Sequence, residues 1–264
     1  MFSEGLLDER KAKMQSVDRI VTILALLADS AKGMGITELY ESCDLPKSTL
    51  HRILTSLVSH DLAVQDAHTK KYRLGSAMLR LGAKYLSQND VRNIARPFLE
   101  QAEKELRETV YLSILQGGRV ICVDTVSTSR DLNYFVSVGK EMPFNTSAAA
   151  KAILAYQPED YIKSVLASNA ITKQTPKSIV DPERLEKHLA SIRILGYSLC
   201  EEEMEEGATA ISAPLWDWQG QVSASVSVIG PSVRLQGTYR QGVVDVILAT
   251  AQVISRQWGM TKGY

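Results

Sequence analysis

The sequence predicts an α+β protein in two unequal parts, a helical N-terminal third closed by a short hairpin and a larger C-terminal domain with an antiparallel sheet. Three observations carry this. Apolar residues recur at helical spacing in two segments before residue 60, a pair of short alternating runs follows them, and from Val91 helical and strand-like runs are interspersed. At 264 residues the chain also exceeds one domain of roughly 100–150 residues, so two domains are the default.

Residues 1–13 are polar and charged without a period and read as a disordered lead-in or the first turns of a helix. A domain over residues 14–75 follows. In "SVDRIVTILALLADS", Val17, Ile20, Val21, Leu24 and Leu27 lie at helical spacing behind Ser16 as N-cap. "ITELYESCDLP" restarts with Thr37 as N-cap and reaches Pro46, which suits a helix's first turn and no interior position. In the helix after it, Leu50, Ile53, Leu54, Leu57 and Val58 form one stripe. Ser48, Arg52, Thr55 and Ser59 take the opposite side, with Lys47, Thr49 and His51 flanking it.

A short helix, a tight turn and a second helix with hydroxyls and Arg on its outer face match a helix-turn-helix. Arg can grip a guanine edge with two hydrogen bonds, and Ser, Thr and Lys at a helix start satisfy phosphate oxygens. A solvated helix face has the same pattern. The next segment separates the two readings: Leu62–Gln65 and Lys71–Leu74 alternate around the polar turn Asp66–Lys70, which makes a hairpin and hence a winged helix-turn-helix. Its wing carries Lys70, Lys71 and Arg73 beside Tyr72, a one-signed cluster suited to phosphates that a merely solvated hairpin does not need.

Residues 76–90, "SAMLRLGAKYLSQND", keep Met78, Leu79, Leu81, Tyr85 and Leu86 in helical register. This is a connecting helix whose apolar side suits pairing with another subunit, or a plain spacer. Over 91–264 the reading is a helix from Val91, two strands about Gly117-Gly118, a strand in "DLNYFVSVGKEM" ending at Gly139 and a helix at "TSAAAKAILAYQ" capped by Thr146 or Ser147. Helical segments around Tyr161 and Leu185, a hairpin about Gln219-Gly220 and a helix from Tyr239 to Trp258 complete it. This order fits a sheet covered on one side.

Two segments read as pocket walls. Val222, Ala224, Val226 and Val228 alternate with Ser223, Ser225 and Ser227, a row of small hydroxyls, and "NTSAAAKAIL" offers a helix N-terminus that a carboxylate can approach. Together they suit a small anionic metabolite. Serines facing water and alanines serving close helix packing are the plainer reading of the same residues.

Composition narrows the function. Lys+Arg equals Asp+Glu at 30 each, so a nucleic-acid or membrane role must rest on a local patch. The three cysteines and four histidines lack zinc-site spacing, no window resembles a signal peptide or a membrane span, and a reducing cytoplasm is the expected compartment. No dinucleotide or P-loop glycine fingerprint is present, so no cofactor is expected. The five Glu of "CEEEMEEG" would raise the Cys200 thiol pKa, no G-x-S-x-G elbow exists, and the Glu run reads as a solvated turn. An enzyme is therefore not expected.

The segments "MQSVDRIVTILALLAD", "LPKSTLHRILTSL", "KYRLGSAMLRLGAKYL", "ARPFLEQAEKELRETVYLSIL", "GYSLCEEEMEEGATAISAPLWDWQGQV" and "VSVIGPSVRL" resemble, in order from Met14 to Trp258, the IclR family of bacterial transcriptional regulators. The resemblance implies a winged helix-turn-helix, a dimerising linker helix and a GAF-like C-terminal domain that binds a small effector, often an organic or sugar acid. It implies a ligand-responsive regulator, a repressor of a catabolic operon, acting on a double-stranded DNA operator as a homodimer or homotetramer. Carried over by position, the DNA readers are Lys47, Ser48, Thr49, His51, Arg52 and Thr55 with the wing residues Lys70, Lys71 and Arg73. The effector residues are Ser147, Ala148, Ala150, Cys200, Ala208, Ala210, Ser225 and Ser227. Ala150, Cys200, Ala210 and Ile229 stand where the family commonly has Gly, Asp, Cys and Ser, which implies a more apolar pocket. Two rivals remain: an enzyme acting on a small acid, and an adaptor using the winged helix against protein.

Overall fold

In a computed structural model of the chain, residues 17–43, 45–87, 90–127, 136–168 and 171–260 are described. The lead-in over 1–13 and the cap Ser16 lie outside them. The chain divides into two compact units, Met1–Gln88 and Asn89–Tyr264.

The first unit runs α1 (17–29), α2 (Ile36–Ser42), α3 (Lys47–Ser59), β1 (Ala63–Gln65), β2 (Tyr72–Leu74) and α4 (Ser76–Ser87). Its core joins Ile23 and Leu27 of α1, Leu39 of α2, Leu50, Leu54 and Leu57 of α3, and Tyr72 of β2. The apolar stripe read from sequence is displaced on α1 and holds on α3 except at its last position. Val17 and Val21 stay 60% and 58% exposed while Ile23 takes the inward position, and Val58 sits at the rim of the α3 stripe. Thr37 does not cap α2. Gly35 does, and Glu38 accepts its N–H at 2.6 Å, because that carboxylate reaches back over the first turn.

The wing is antiparallel, with Ala63 opposite Leu74 and Gln65 opposite Tyr72. Met34 adds a further pairing with Tyr72, exchanging N–H···O bonds of 3.0 and 2.8 Å, so the segment between α1 and α2 anchors the hairpin. Gly75 ends β2 where a Cβ would lie 2.1 Å from the Asp61 carbonyl oxygen, so only glycine lets α4 leave the wing so closely. On α4, Leu79 and Leu81 are 76% and 61% exposed.

The second unit begins with α5 (Asp90–Leu106), β3 (Thr109–Gln116), β4 (Arg119–Val126), β5 (Glu141–Met142) and α6 (Ala148–Leu154). It continues with α7 (Glu159–Leu166), α8 (Pro182–Leu195), β6 (Ser198–Glu201), β7 (Ala208–Trp216), β8 (Val222–Pro231) and α9 (Gly237–Met260). The sheet order is β5-β4-β3-β8-β7-β6, antiparallel throughout, with β6 pairing only β7.

The sheet is covered on both faces, not one. α5 and α9 pack on one side, and α6 lies across the other. Both parities of β7 and β8 are therefore buried, Ile211 and Val226 towards one layer and Ala210 and Ser225 towards the other. The strand expected in "DLNYFVSVGKEM" up to Gly139 does not form over its described part, and a two-residue strand, Glu141–Met142, follows it. Residues 131–135 of that segment lie outside the described residues, and 136–140 are loop and turn. Strand β6, which the Glu run concealed, is the element the sequence reading missed.

Candidate functional site

In the first unit, α3 presents the candidate readers. Lys47, Ser48, His51, Arg52 and Thr55 are exposed and Thr49 is half-buried, above the buried Leu50, Leu54 and Leu57. Pro46 occupies the N-cap and no side chain caps the helix, so the N–H groups of its first turn face outward for an acceptor. Lys47 Nζ lies 5.0 Å from the centre of the Tyr40 ring, which steadies it beside that helix start. The Thr55 hydroxyl donates to the His51 carbonyl oxygen at 2.9 Å.

The wing is ordered by Asp66, whose Oδ1 accepts the N–H groups of His68 and Thr69 at 3.0 and 2.7 Å and the Thr69 hydroxyl at 3.0 Å. These bonds hold its carboxyl below the usual range. Lys70 sits at φ 59° on the tip and is exposed. Lys71 pairs with Glu38 of α2 at 3.3 Å, and Arg73 donates to the Lys32 carbonyl oxygen at 3.5 Å. The wing cations are thus partly tied to their own unit.

In the second unit a narrow cavity opens between the sheet and the start of α6. It has about 20 Å³ of free space for the centre of a water molecule, room for one. Ser147, Ala148, Cys200, Ala208 and Ala210 line it, all expected from sequence. Tyr111, Thr146, Glu203, Met204 and Ile229 join them. Cys200, Ala210 and Ile229 lie side by side across β6, β7 and β8.

Ala150, Ser225 and Ser227 do not line this cavity. Ser225 donates to the Ala149 carbonyl oxygen at 3.2 Å and Ser227 to the Ser212 hydroxyl at 2.8 Å, so both hydroxyls are spent on packing α6 and the strands together. Ala150 donates its N–H to the Ser147 cap at 3.4 Å.

Behind the wall lies a buried ion pair. Lys151 is fully buried on α6, and its Nζ meets both carboxylate oxygens of Glu203 at 2.9 and 2.8 Å. Ser178 donates to the Glu203 carbonyl oxygen at 2.8 Å and Thr175 to that of Glu202 at 2.7 Å, which fixes the loop after β6. Glu203 is 7% exposed, so at this position the run is not a solvated turn. Burial alone would lower the Lys151 pKa, but the facing acidic groups, with the Glu203 carboxylate bonded to it directly, outweigh burial and hold the ammonium above its ordinary value. A lone Lys among the alanines of "SAAAKAIL" was the available sequence signal for this pair.

Burial pushes the Cys200 thiol up to about 12, so the group is a protonated, unreactive wall at neutral pH. On α8, burial and the Lys151 charge depress His188 to about 4, and its Nε2 is buried without a hydrogen-bond partner. The native state therefore binds fewer protons here than the unfolded chain. This contribution to stability is complete above about pH 6.5 and is lost as pH falls through about 4. His188→Gln is expected to flatten the decline in urea stability between pH 7 and 5, measured by tryptophan fluorescence.

Among the described residues no three metal-ligating side chains converge, and no helix is long and apolar enough to cross a membrane. Family models match both units, "IclR helix-turn-helix domain" over residues 16–67 and "Bacterial transcriptional regulator IclR C-terminal" over 83–256. The chain is 30% identical to the HTH-type transcriptional regulator BhcR of Paracoccus denitrificans (strain Pd 1222), covering 95% of this chain and 90% of that protein. It is 28% identical to the HTH-type transcriptional repressor AllR of Escherichia coli (strain K12), over 93% and 91%. An IclR homolog from Microbacterium hydrocarbonoxydans, solved with 4-hydroxybenzoate, shares the fold with a TM-score of 0.79 at 23% identity, over 92% of this chain and 98% of that one. These relatives are regulators rather than enzymes. A helix-turn-helix with an exposed polar helix, joined to an antiparallel-sheet domain and matched by both family models, makes this chain a member of the IclR family of bacterial transcriptional regulators, which bind DNA.

Proposed function

We propose that α3 and the wing read a double-stranded operator and that the cavity beside α6 senses a small organic acid. The observation that carries the first part is the outward row Lys47, Ser48, His51, Arg52 and Thr55 on a helix whose first turn is uncapped. Thr49 completes the row at its buried edge. The uncapped turn and Lys47 hold a phosphate, and Arg52 and its neighbours reach base edges. Lys70, Lys71 and Arg73 take phosphates beside the groove. The ion pair of Lys71 with Glu38 lies at the surface, where water screens it, so releasing it for phosphate costs little.

Anisotropy titrations against the protein's own upstream DNA at several salt concentrations test this reading. Sequence-selective binding with a steep salt slope supports it. Lys71→Ala should weaken all sequences alike and lower the slope by about one. An unchanged slope would remove the wing from the interface.

For the effector, Ser147, Ala148, Cys200, Ala208 and Ala210 form the wall, and Ala150, Ser225 and Ser227 support it from behind. With alanines, a protonated thiol and Ile229 at its centre, this wall favours an acid with an apolar body over the smallest oxoacids. Binding opens the lining, since the free space holds only one water. Calorimetry with a panel from glyoxylate to aromatic acids tests this, and tightest binding of the smallest acid would count against it. The exposed Leu79 and Leu81 of α4 suit pairing in a homodimer or homotetramer in the cytoplasm. Effector binding then favours one arrangement of the paired helices and so one spacing of half-sites, which is the route to repression of a catabolic operon.

A further inference from the structure

We infer that the groove between α8 and β6 is a second ligand site, one that takes a carboxylate with a short aliphatic body. The inference stands independently of the effector reading above. The groove has about 540 Å³ of free space, within the range of roughly 300–1,000 Å³ usual for ligand pockets, against about 20 Å³ beside α6. It is already open in the conformation that leaves the other cavity closed.

One face of α8 builds its wall. Arg184, His188, Ile192 and Leu195 recur at i, i+4, i+8 and i+11, and Leu199 of β6 and Ile179 of the preceding loop face them. Four aliphatic side chains thus share the groove with Ser191, Tyr197 and a set of ionisable groups, among them Arg184 and His188 on the same face of α8.

Its charges settle the class of ligand. Four ionised side chains line the groove, and three are already neutralised: Lys177 by Glu202, Glu201 by Arg240 and Glu203 by Lys151. Arg184 is exposed and has no ion-pair partner among the described residues, so the groove carries one uncommitted positive charge. One turn along, the His188 Nε2 is buried with no hydrogen-bond partner, a vacancy that costs stability unless an acceptor or donor fills it. A carboxylate answers both groups, one oxygen on the Arg184 guanidinium and the other on the imidazole in the tautomer that carries its proton on Nε2. A doubly charged phosphate would place its second charge near Glu201 and Glu203, and a neutral ligand would leave Arg184 unpaired. Ile179, Ile192, Leu195 and Leu199 give a short aliphatic tail a surface to cover.

The test uses the whole protein with ring-¹⁵N-labelled histidine. Of the four histidines, His51, His60 and His68 belong to the first unit, so the His188 signals report on the groove alone. Sodium hexanoate at neutral pH is expected to shift the His188 ring nitrogens saturably, hexanol to bind at least tenfold more weakly, and Arg184→Ala to weaken hexanoate at least tenfold. Filling the cavity beside α6 with Ala210→Phe, or Ala208→Leu should that variant not fold, is expected to leave hexanoate binding unchanged. Unmoved His188 signals, an Arg184→Ala variant that binds as well as the parent, or binding abolished by the filled cavity would each overturn the proposal. Failure of every acid in the calorimetric panel to respond to the cavity-filling variants would instead remove the effector reading and leave this one intact.

Discussion

Arg52→Ala is expected to weaken binding to the protein's specific DNA site by about 1–3 kcal/mol and to relax its preference at one base position. The reason is geometric. Arg52 projects from the exposed face of α3 between Ser48 and Thr55, one turn behind the uncapped helix start, and nothing within the described residues forms an ion pair with it. Its guanidinium is therefore available to a base edge without first breaking an internal contact. Arg52→Lys separates the two contributions, because it keeps the charge and loses the two-pronged donor geometry. The Lys variant should retain the salt slope of the parent yet lose its discrimination between operator and control DNA. Operator affinity unchanged in both variants would remove α3 from base recognition. Because Leu50, Leu54 and Leu57 hold the other side of the helix, neither change should alter the thermal stability of the unit.

The largest stability effect is expected at the ion pair behind the cavity. Glu203→Gln or Lys151→Met, each leaving one charge buried without its counter-charge, should destabilise the C-terminal unit by about 3–5 kcal/mol. The double variant Lys151→Met, Glu203→Leu should recover most of that loss, since it removes both charges from a site where Lys151 is fully buried. Urea unfolding followed by tryptophan fluorescence reads this unit alone, because Trp216, Trp218 and Trp258 all lie in it. A double variant no more stable than the singles would show that the hydrogen bonds of the Glu203 loop to Thr175 and Ser178, rather than the charges, hold that wall in place. The same comparison bears on regulation, for the loop that carries Glu203 also carries Met204 and Glu205 into the cavity lining.

The helices, the wing and the β7–β8 hairpin were legible because each is written locally. Leu50, Leu54 and Leu57 repeat at helical spacing and are buried, and the polar turn Asp66–Lys70 separates two short alternating runs. The candidate DNA-reading face followed from the same period, since a residue opposite a buried stripe must face out. Local pattern failed where burial is decided by an element distant in the chain. Ser225 and Ser227 alternate with valines as on a half-exposed strand, yet α6 lies over them and they bond to Ala149 and Ser212. Likewise Glu203 sits in a run of acids that reads as solvated, and only the approach of Lys151, 52 positions away, makes its burial tolerable. Local pattern in the chain wrote the outward polar helix, the change of grammar near Val91 and the small residues Ser147 and Ala148 at the start of α6, whereas Cys200, Ala208 and Ala210 of the wall were placed by the family resemblance. Which hydroxyls are consumed in packing, which carboxylate is paired and where open space remains were settled by folding, because those depend on contacts between segments that no local period records.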